Sequence, residues 1–316
     1  MLDFSEPITR IAVGRRSCLA LGESGSLYVM DVDFTGSSLL RLTSPDVVPD
    51  LPTKEHSVLH MAGGWVFSAA VIKGIGIMVW KSDVTPEERN KFVERQTTQP
   101  HMRERNARLV SRPEETQLDS VVVHDPSVLD IIGLMVGDGY LIYLTERGTV
   151  HRANFDDSMF EPEAPGPTSF LFKKFVATPK LSYLSGSFLH FGLFNTAGDV
   201  FIGNATTQED TDPYIYEGLQ HRGVIAIACG DWHALALCED GSILSWGKEL
   251  QGNGCLGMGY KFDADATEMG LIVAGPYISC PEPRKVPGFG GQEDKFAFCV
   301  AAAGWHSAAL VADFKV

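Results

Sequence analysis

Three sets of residues in this sequence have the types and spacing to do chemistry: one glycine run, a series of histidines and six cysteines. Gly252-Asn253-Gly254-Cys255-Leu256-Gly257 spells G-x-G-x-x-G, which cradles a dinucleotide only when it joins a strand to a helix inside a parallel βαβ unit. Here it follows a strand reading that ends at Trp246 and runs into Tyr260-Lys261-Phe262-Asp263 with no amphipathic stretch behind it. The glycines therefore read as a sharp backbone turn, and no cofactor is expected. His190, His233 and His306 share one position of a repeat. An imidazole at a strand start can satisfy backbone groups beside a turn, and neither a helical H-x-x-x-H spacing nor a Glu-rich partner accompanies these residues, so no metal is expected. Cys18, Cys229, Cys238, Cys255, Cys280 and Cys299 form no C-x-x-C pair and mostly lie in apolar runs, as buried reduced thiols do. There is no G-x-S-x-G elbow and no Cys-His template, so the chain is not expected to be an enzyme. The sequon Asn204-Ala205-Thr206 reads as an ordinary turn.

Charge and composition narrow the partners. The 316 residues carry a formal charge of −14 with a sequence pI of about 5.0, which repels a phosphate backbone and argues against direct nucleic-acid binding. The N-terminal MLDFSEPITR lacks a basic start followed by an apolar core, and no stretch approaches the ~20 apolar residues of a membrane span. The expectation is a soluble protein of the cytoplasm or nucleus with no membrane partner. Thirty-two glycines, 17 prolines and 18 phenylalanines suit many short strands joined by turns.

The elements that would position these residues emerge as a repeat. In its clearest copy, Ile225–Cys229 leads to Gly230-Asp231-Trp232-His233, then Ala234–Leu237, the hairpin signal Glu239-Asp240-Gly241, and a strand ending at Trp246-Gly247. The anchor and the turn glycine lie eleven residues apart, as do Gly14 and Gly25, Gly63 and Gly74, and Gly137 and Gly148. Degraded copies run from Ser187 to Gly198 and from Ala303 to Phe314. The apolar runs Cys18–Leu21, Phe67–Ala70, Leu141–Leu144, Phe191–Phe194, Ala234–Leu237 and Ser307–Leu310 are the candidate inner strands. Two intervals are long. One insertion, about 81–120, is polar, with a capping box at Thr85-Pro86-Glu87-Glu88. In the other, about 248–298, Pro276, Pro281, Pro283 and Pro287 are expected to exclude a regular strand.

Gly230–Leu237, Asp240-Gly241, Trp246-Gly247 and Gln251–Gly259 together resemble one full regulator-of-chromosome-condensation repeat, with weaker copies over most of the chain. The resemblance implies an all-β fold, a β-propeller of six to seven four-stranded blades spanning 1–316, in which the two insertions are surface loops. Six frames are visible and the last stops short of its Trp-Gly strand, so the ring is expected to be incomplete or closed unusually. The chain is most similar to the fungal type in which an F-box precedes the propeller, although no F-box is visible. That implies a non-enzymatic protein-interaction propeller, with substrate recognition for a ubiquitin-ligase adaptor as its setting. Ligase subunits would be reached through a missing N-terminal segment. The founding activity of the family, guanine-nucleotide exchange on a small GTPase, is the alternative.

The binding residues are sought in the two variable positions after each anchor: Arg15-Arg16, Gly64-Trp65, Asp138-Gly139, Phe188-Leu189, Asp231-Trp232 and Gly304-Trp305. Three of the five tryptophans fall there, and Trp and Arg dominate protein-binding hot spots. In a circular repeat these turns share one face. Trp65, Trp232 and Trp305 are the expected chief contacts, with Arg15, Arg16, Phe188 and Asp231 around them.

Overall fold

Each repeat frame folds into one small antiparallel sheet. The computed structural model describes residues 6–14, 17–31, 39–43, 57–73, 76–81, 114–117, 120–122, 131–156, 168–207, 209–259, 263–291 and 293–313. They fall into two compact units, one of 1–129, 138–140 and 154–168, the other of 130–137, 141–153 and 169–316.

The first unit holds two sheets. Strands β1 (Ile8–Val13), β2 (Ser17–Gly22), β3 (Leu27–Asp31) and β4 (Leu39–Thr43) meander in order, and β8 (Glu114–Gln117) adds in parallel to β4. The second sheet runs β5 (Val58–Gly63), β6 (Phe67–Ile72), β7 (Gly76–Lys81) and β9 (Ser120–Val122). Leu19, Leu21, Leu27 and Val29 pack against Ala70, Ile72, Met78 and Trp80 between the two sheets.

The second unit contains most of the sheet β10 (Ile131–Val136), β11 (Tyr140–Thr145), β12 (Val150–Asn154) and β13 (Thr168–Phe172). Three sheets follow: β14 (Leu181–Gly186), β15 (His190–Asn195) and β16 (Val200–Asn204); then β17 (Val224–Cys229), β18 (His233–Cys238) and β19 (Ile243–Leu250), extended by β21 (Tyr277–Lys285) and β20 (Ile272–Ala274); then β22 (Lys295–Ala303) with β23 (His306–Asp313). Among the described residues the sheets thus hold from two to five strands rather than a uniform four.

The runs read as inner strands are the second strands of their sheets. In five sheets they are flanked on both sides, while β23 pairs with β22 alone among the described residues. β6, β11 and β18 are buried at every position, and a strand buried on both faces reads as a continuous apolar run.

A bulge recurs between the first two strands of all six sheets: at Ile8/Arg10, Val58/His60, Ile131/Gly133, Leu181/Tyr183, Val224/Ala226 and Ala297/Cys299. It lies six and four residues before the anchor in five frames, but in the second frame this spacing selects Gly64, not Gly63. The turn hydrogen bond agrees: Gly64 N–H donates to Phe67 C=O (2.9 Å) as Gly230 N–H does to His233 C=O (2.8 Å). Two adjacent glycines made the frame ambiguous by one residue. Trp65 therefore occupies the first variable position of its turn, whereas Trp232 and Trp305 occupy the second. Gly25, Gly148, Gly198 and Gly241, each eleven residues past its anchor, have the left-handed backbone that closes a hairpin, with φ of +88°, +80°, +92° and +77°.

Both insertions depart from the loop expectation. Residues 82–113, with the capping box at Thr85–Glu88, lie outside the described residues, but the end of that insertion supplies β8 and β9. In the later insertion β21 runs through Pro281 and Pro283. Its register against β19 steps from Ser245↔Arg284 to Gly247↔Cys280, so the prolines sit in a bulge where no ladder donor is needed. A short helix α1 (Asp263–Glu268) follows the glycine run, and Leu256, Met258, Ala266, Leu271, Ile278 and Cys280 give the insertion its own core.

Candidate functional site

Close backbone approach fixes the anchor turns. In the first unit a β-carbon on Gly14 would lie 2.4 Å from Gly64 O. In the second, Ser187 Oγ donates to Gly230 O (2.6 Å) and Asp231 N–H donates to Gly304 O (2.9 Å). Three successive turns, Ser187–Leu189, Gly230–Trp232 and Ala303–Trp305, are thereby linked in a row. Gly230 has no room for a side chain: a β-carbon there would sit 2.3 Å from His233 Cε1 and 2.8 Å from Gly304 O.

His233 was expected to satisfy backbone groups of its own turn. Instead it is 3% exposed and reaches the next sheet, with Nε2 lying 2.8 Å from Ser307 Oγ. Ser307 gives its only hydroxyl proton to Cys255 O (2.7 Å), so its oxygen must accept from His233 Nε2–H. That leaves Nδ1 deprotonated, and it has no hydrogen-bond partner among the described residues. Burial holds the His233 pKa below its ordinary value, which favours this neutral form. A serine beside a histidine could suggest a nucleophile and its base. Here the serine proton is engaged by a carbonyl and the histidine donates rather than accepts, so the pair clasps two sheets together and does not activate an oxygen. Burial also lowers the pKa of His190, while His306 is exposed.

Above this clasp lie two tryptophans. Trp232 is 46% exposed and stacks on half-buried Trp305, with ring centroids 6.1 Å apart and planes inclined by 21°. The Asp231–Gly304 hydrogen bond holds their turns together, and Lys248 N–H donates to Trp232 O (2.8 Å) from the other side. Asp231 and Phe188 are half-buried in the linked turns. Trp65 is half-buried in the first unit, and Arg15 and Arg16 lie outside the described residues.

The glycine run is structural. Gly252, Gly254 and Gly257 have φ of +82°, +68° and +69°, the backbone region that side chains disfavour, and the sheet before them is antiparallel. Buried Glu249 accepts from Leu256 N–H (2.7 Å) and ties the run down. Asn204 Oδ1 accepts from Thr206 N–H (2.9 Å), which makes the sequon a turn. Cys229, Cys238, Cys255 and Cys280 are buried; burial pushes Cys229 and Cys255 up to about 12 and Cys280 to about 11. Cys299 is exposed, contrary to the expectation for all six. Sequence reasoning missed Ser307, whose position carries no motif, and the exposed apolar residues Met269, Ile272 and Tyr277 of the later insertion.

Comparison with known proteins agrees with this anatomy. The model of the "Regulator of chromosome condensation (RCC1) repeat" matches residues 224–255. The F-box protein pof9 of Schizosaccharomyces pombe is 30% identical over 318 residues, covering 96% of this chain and 58% of pof9. SCF-associated factor 1 of Saccharomyces cerevisiae is 23% identical over 303 residues, covering 95% of this chain and 42% of that protein. The chain thus spans about half the length of the curated relatives it matches. Among solved structures, yeast RCC1 (Prp20) bound to Kap60 superposes with a TM-score of 0.58 at 16% identity, over 96% of this chain and 67% of that one. At that identity the likeness shows the fold, which is a β-propeller of the RCC1 kind.

Proposed function

We propose, from the premise that this chain is a regulator-of-chromosome-condensation repeat protein, that it works as a protein-interaction module without chemistry of its own. We further propose that it selects substrates for a ubiquitin-ligase adaptor. One observation carries the binding role: a large aromatic, Trp232, stands 46% exposed on a turn pinned from both sides. An exposed aromatic on a rigid base is the composition of a binding hot spot, since little side-chain and loop entropy is lost on docking. Trp65, Phe188, Asp231 and Trp305, with Arg15 and Arg16, complete the proposed contact set. The adaptor setting is supported by the extended similarity to pof9 and to SCF-associated factor 1.

Affinity purification of the protein expressed from its own gene, followed by mass spectrometry, tests both levels. Recovery of one substrate protein together with Skp and cullin subunits is the expected result. Recovery of a substrate without ligase subunits would contradict the adaptor setting alone. Nucleotide exchange on a panel of small GTPases, with no protein retained, would contradict the module as a whole.

A further inference from the structure

We propose that the stacked Trp232–Trp305 pair docks an arginine side chain presented by a basic segment of the partner. The inference rests on the interaction-module reading above and adds the chemistry of the group that is bound.

Shape and charge both point to this occupant. Two indoles inclined by only 21° present a flat outer face, and Trp232 leaves nearly half its surface to solvent. A planar guanidinium matches a flat ring face. It is attracted by the negative ring quadrupole, most strongly at tryptophan, and gives up water more readily than an ammonium does. The turns Ser187–Leu189, Gly230–Trp232 and Ala303–Trp305 contain one charged residue, Asp231, and exposed Lys248 follows on the strand that bonds Trp232 O, so the pull on a cation comes from the rings and from the charge of the chain as a whole. The chain as a whole carries 40 acidic against 26 basic residues, an imbalance that steers a basic segment toward it.

The platform is also fixed before any partner arrives. Asp231 N–H on Gly304 O, Lys248 N–H on Trp232 O and His233 Nε2–H on Ser307 Oγ hold the two turns from three directions. The ring pair therefore needs little ordering on binding.

The test uses an immobilised library of random twelve-residue peptides, probed with the folded chain at about physiological ionic strength so that loose charge attraction is screened. Retained peptides should carry arginine at one fixed position. Replacing that arginine with citrulline, which is flat but neutral, should weaken binding about tenfold, as should Trp232→Leu, whereas Trp232→Tyr should retain most of the affinity. The thermal melt of each variant is measured alongside, and the citrulline comparison needs no variant at all. Retention of peptides without arginine, equal binding of the citrulline peptide, or no retention above background overturns the inference. If the native partner is recovered equally by the wild type and by a folded Trp232→Leu chain, the arginine site fails while the interaction module stands. If nothing is recovered from cells but citrulline-sensitive peptide binding persists, the module's assigned role fails instead.

Discussion

The turns Gly230–His233 and Ala303–His306 occupy the same place in the repeat and both end in Trp-His, yet their histidines have opposite surroundings. His233 is buried and clasped to Ser307 of the next sheet, whereas His306 is exposed. The anchors differ in the same sense. Gly230 has a ring and a carbonyl pressed against its Cα, while position 303 already carries a methyl group. A repeated residue thus supplies an opportunity, and the neighbouring sheet decides whether it becomes a structural contact.

Six substitutions sharpen or break that contrast, and the largest effect is expected at the anchors. Gly230→Ala should destabilise by about 3 kcal/mol, because the new methyl must displace both the His233 ring and Gly304 O. Ala303→Gly should cost about 1 kcal/mol or less. Equal losses in urea unfolding would erase the distinction.

His233→Ala comes next, at about 2 kcal/mol, since it removes the hydrogen bond to Ser307 and leaves a cavity beside Gly230. His306→Ala should change stability by less than about 0.5 kcal/mol. Ser307→Ala should cost about 1 kcal/mol, because the imidazole N–H and the Cys255 carbonyl each lose a partner. A double-mutant cycle with His233→Ala should show that the two losses overlap rather than add.

The smallest effect is that of pH. A buried histidine whose folded pKa lies below the unfolded value of ~6.5 stabilises the fold fully above that pH, and its contribution is lost as pH falls toward the folded value. His190 shifts in the same direction. Unfolding free energy should therefore fall between about pH 7 and pH 5, and it should fall less steeply in His233→Gln. An unchanged slope in that variant would show that His233 keeps its ordinary pKa.

How much of this was legible in the sequence depends on whether a feature is local. The anchor-to-glycine spacing is set by one hairpin, so the four sheets whose anchor stands eleven residues before a glycine could be placed from it. The adjacent glycines 63 and 64 were indistinguishable by composition, and only strand pairing and the recurrent bulge separate them. The prolines of β21 misled because a bulge opposite Trp246 needs tertiary context to exist. Within the candidate site the Trp232 and Trp305 turns were readable from register, and their stacking follows from links among the turns that join residues 43 and 73 positions apart. The Ser307 clasp spans 74 residues and carries no motif. Nothing in the local sequence could have announced it.

The central claim is that the side chains of Trp232 and Trp305, carried on two linked turns, bind a protein, and that the Trp232 ring is not itself part of what holds the fold together. Trp232→Ala, examined in parallel by thermal melting and by recovery of the native partner, tests it most directly. The account predicts a melting temperature within about 2 °C of the wild type, the shift expected of a surface change, together with loss of the partner. A folded variant that recovers the partner normally, or a variant that does not fold, would contradict it.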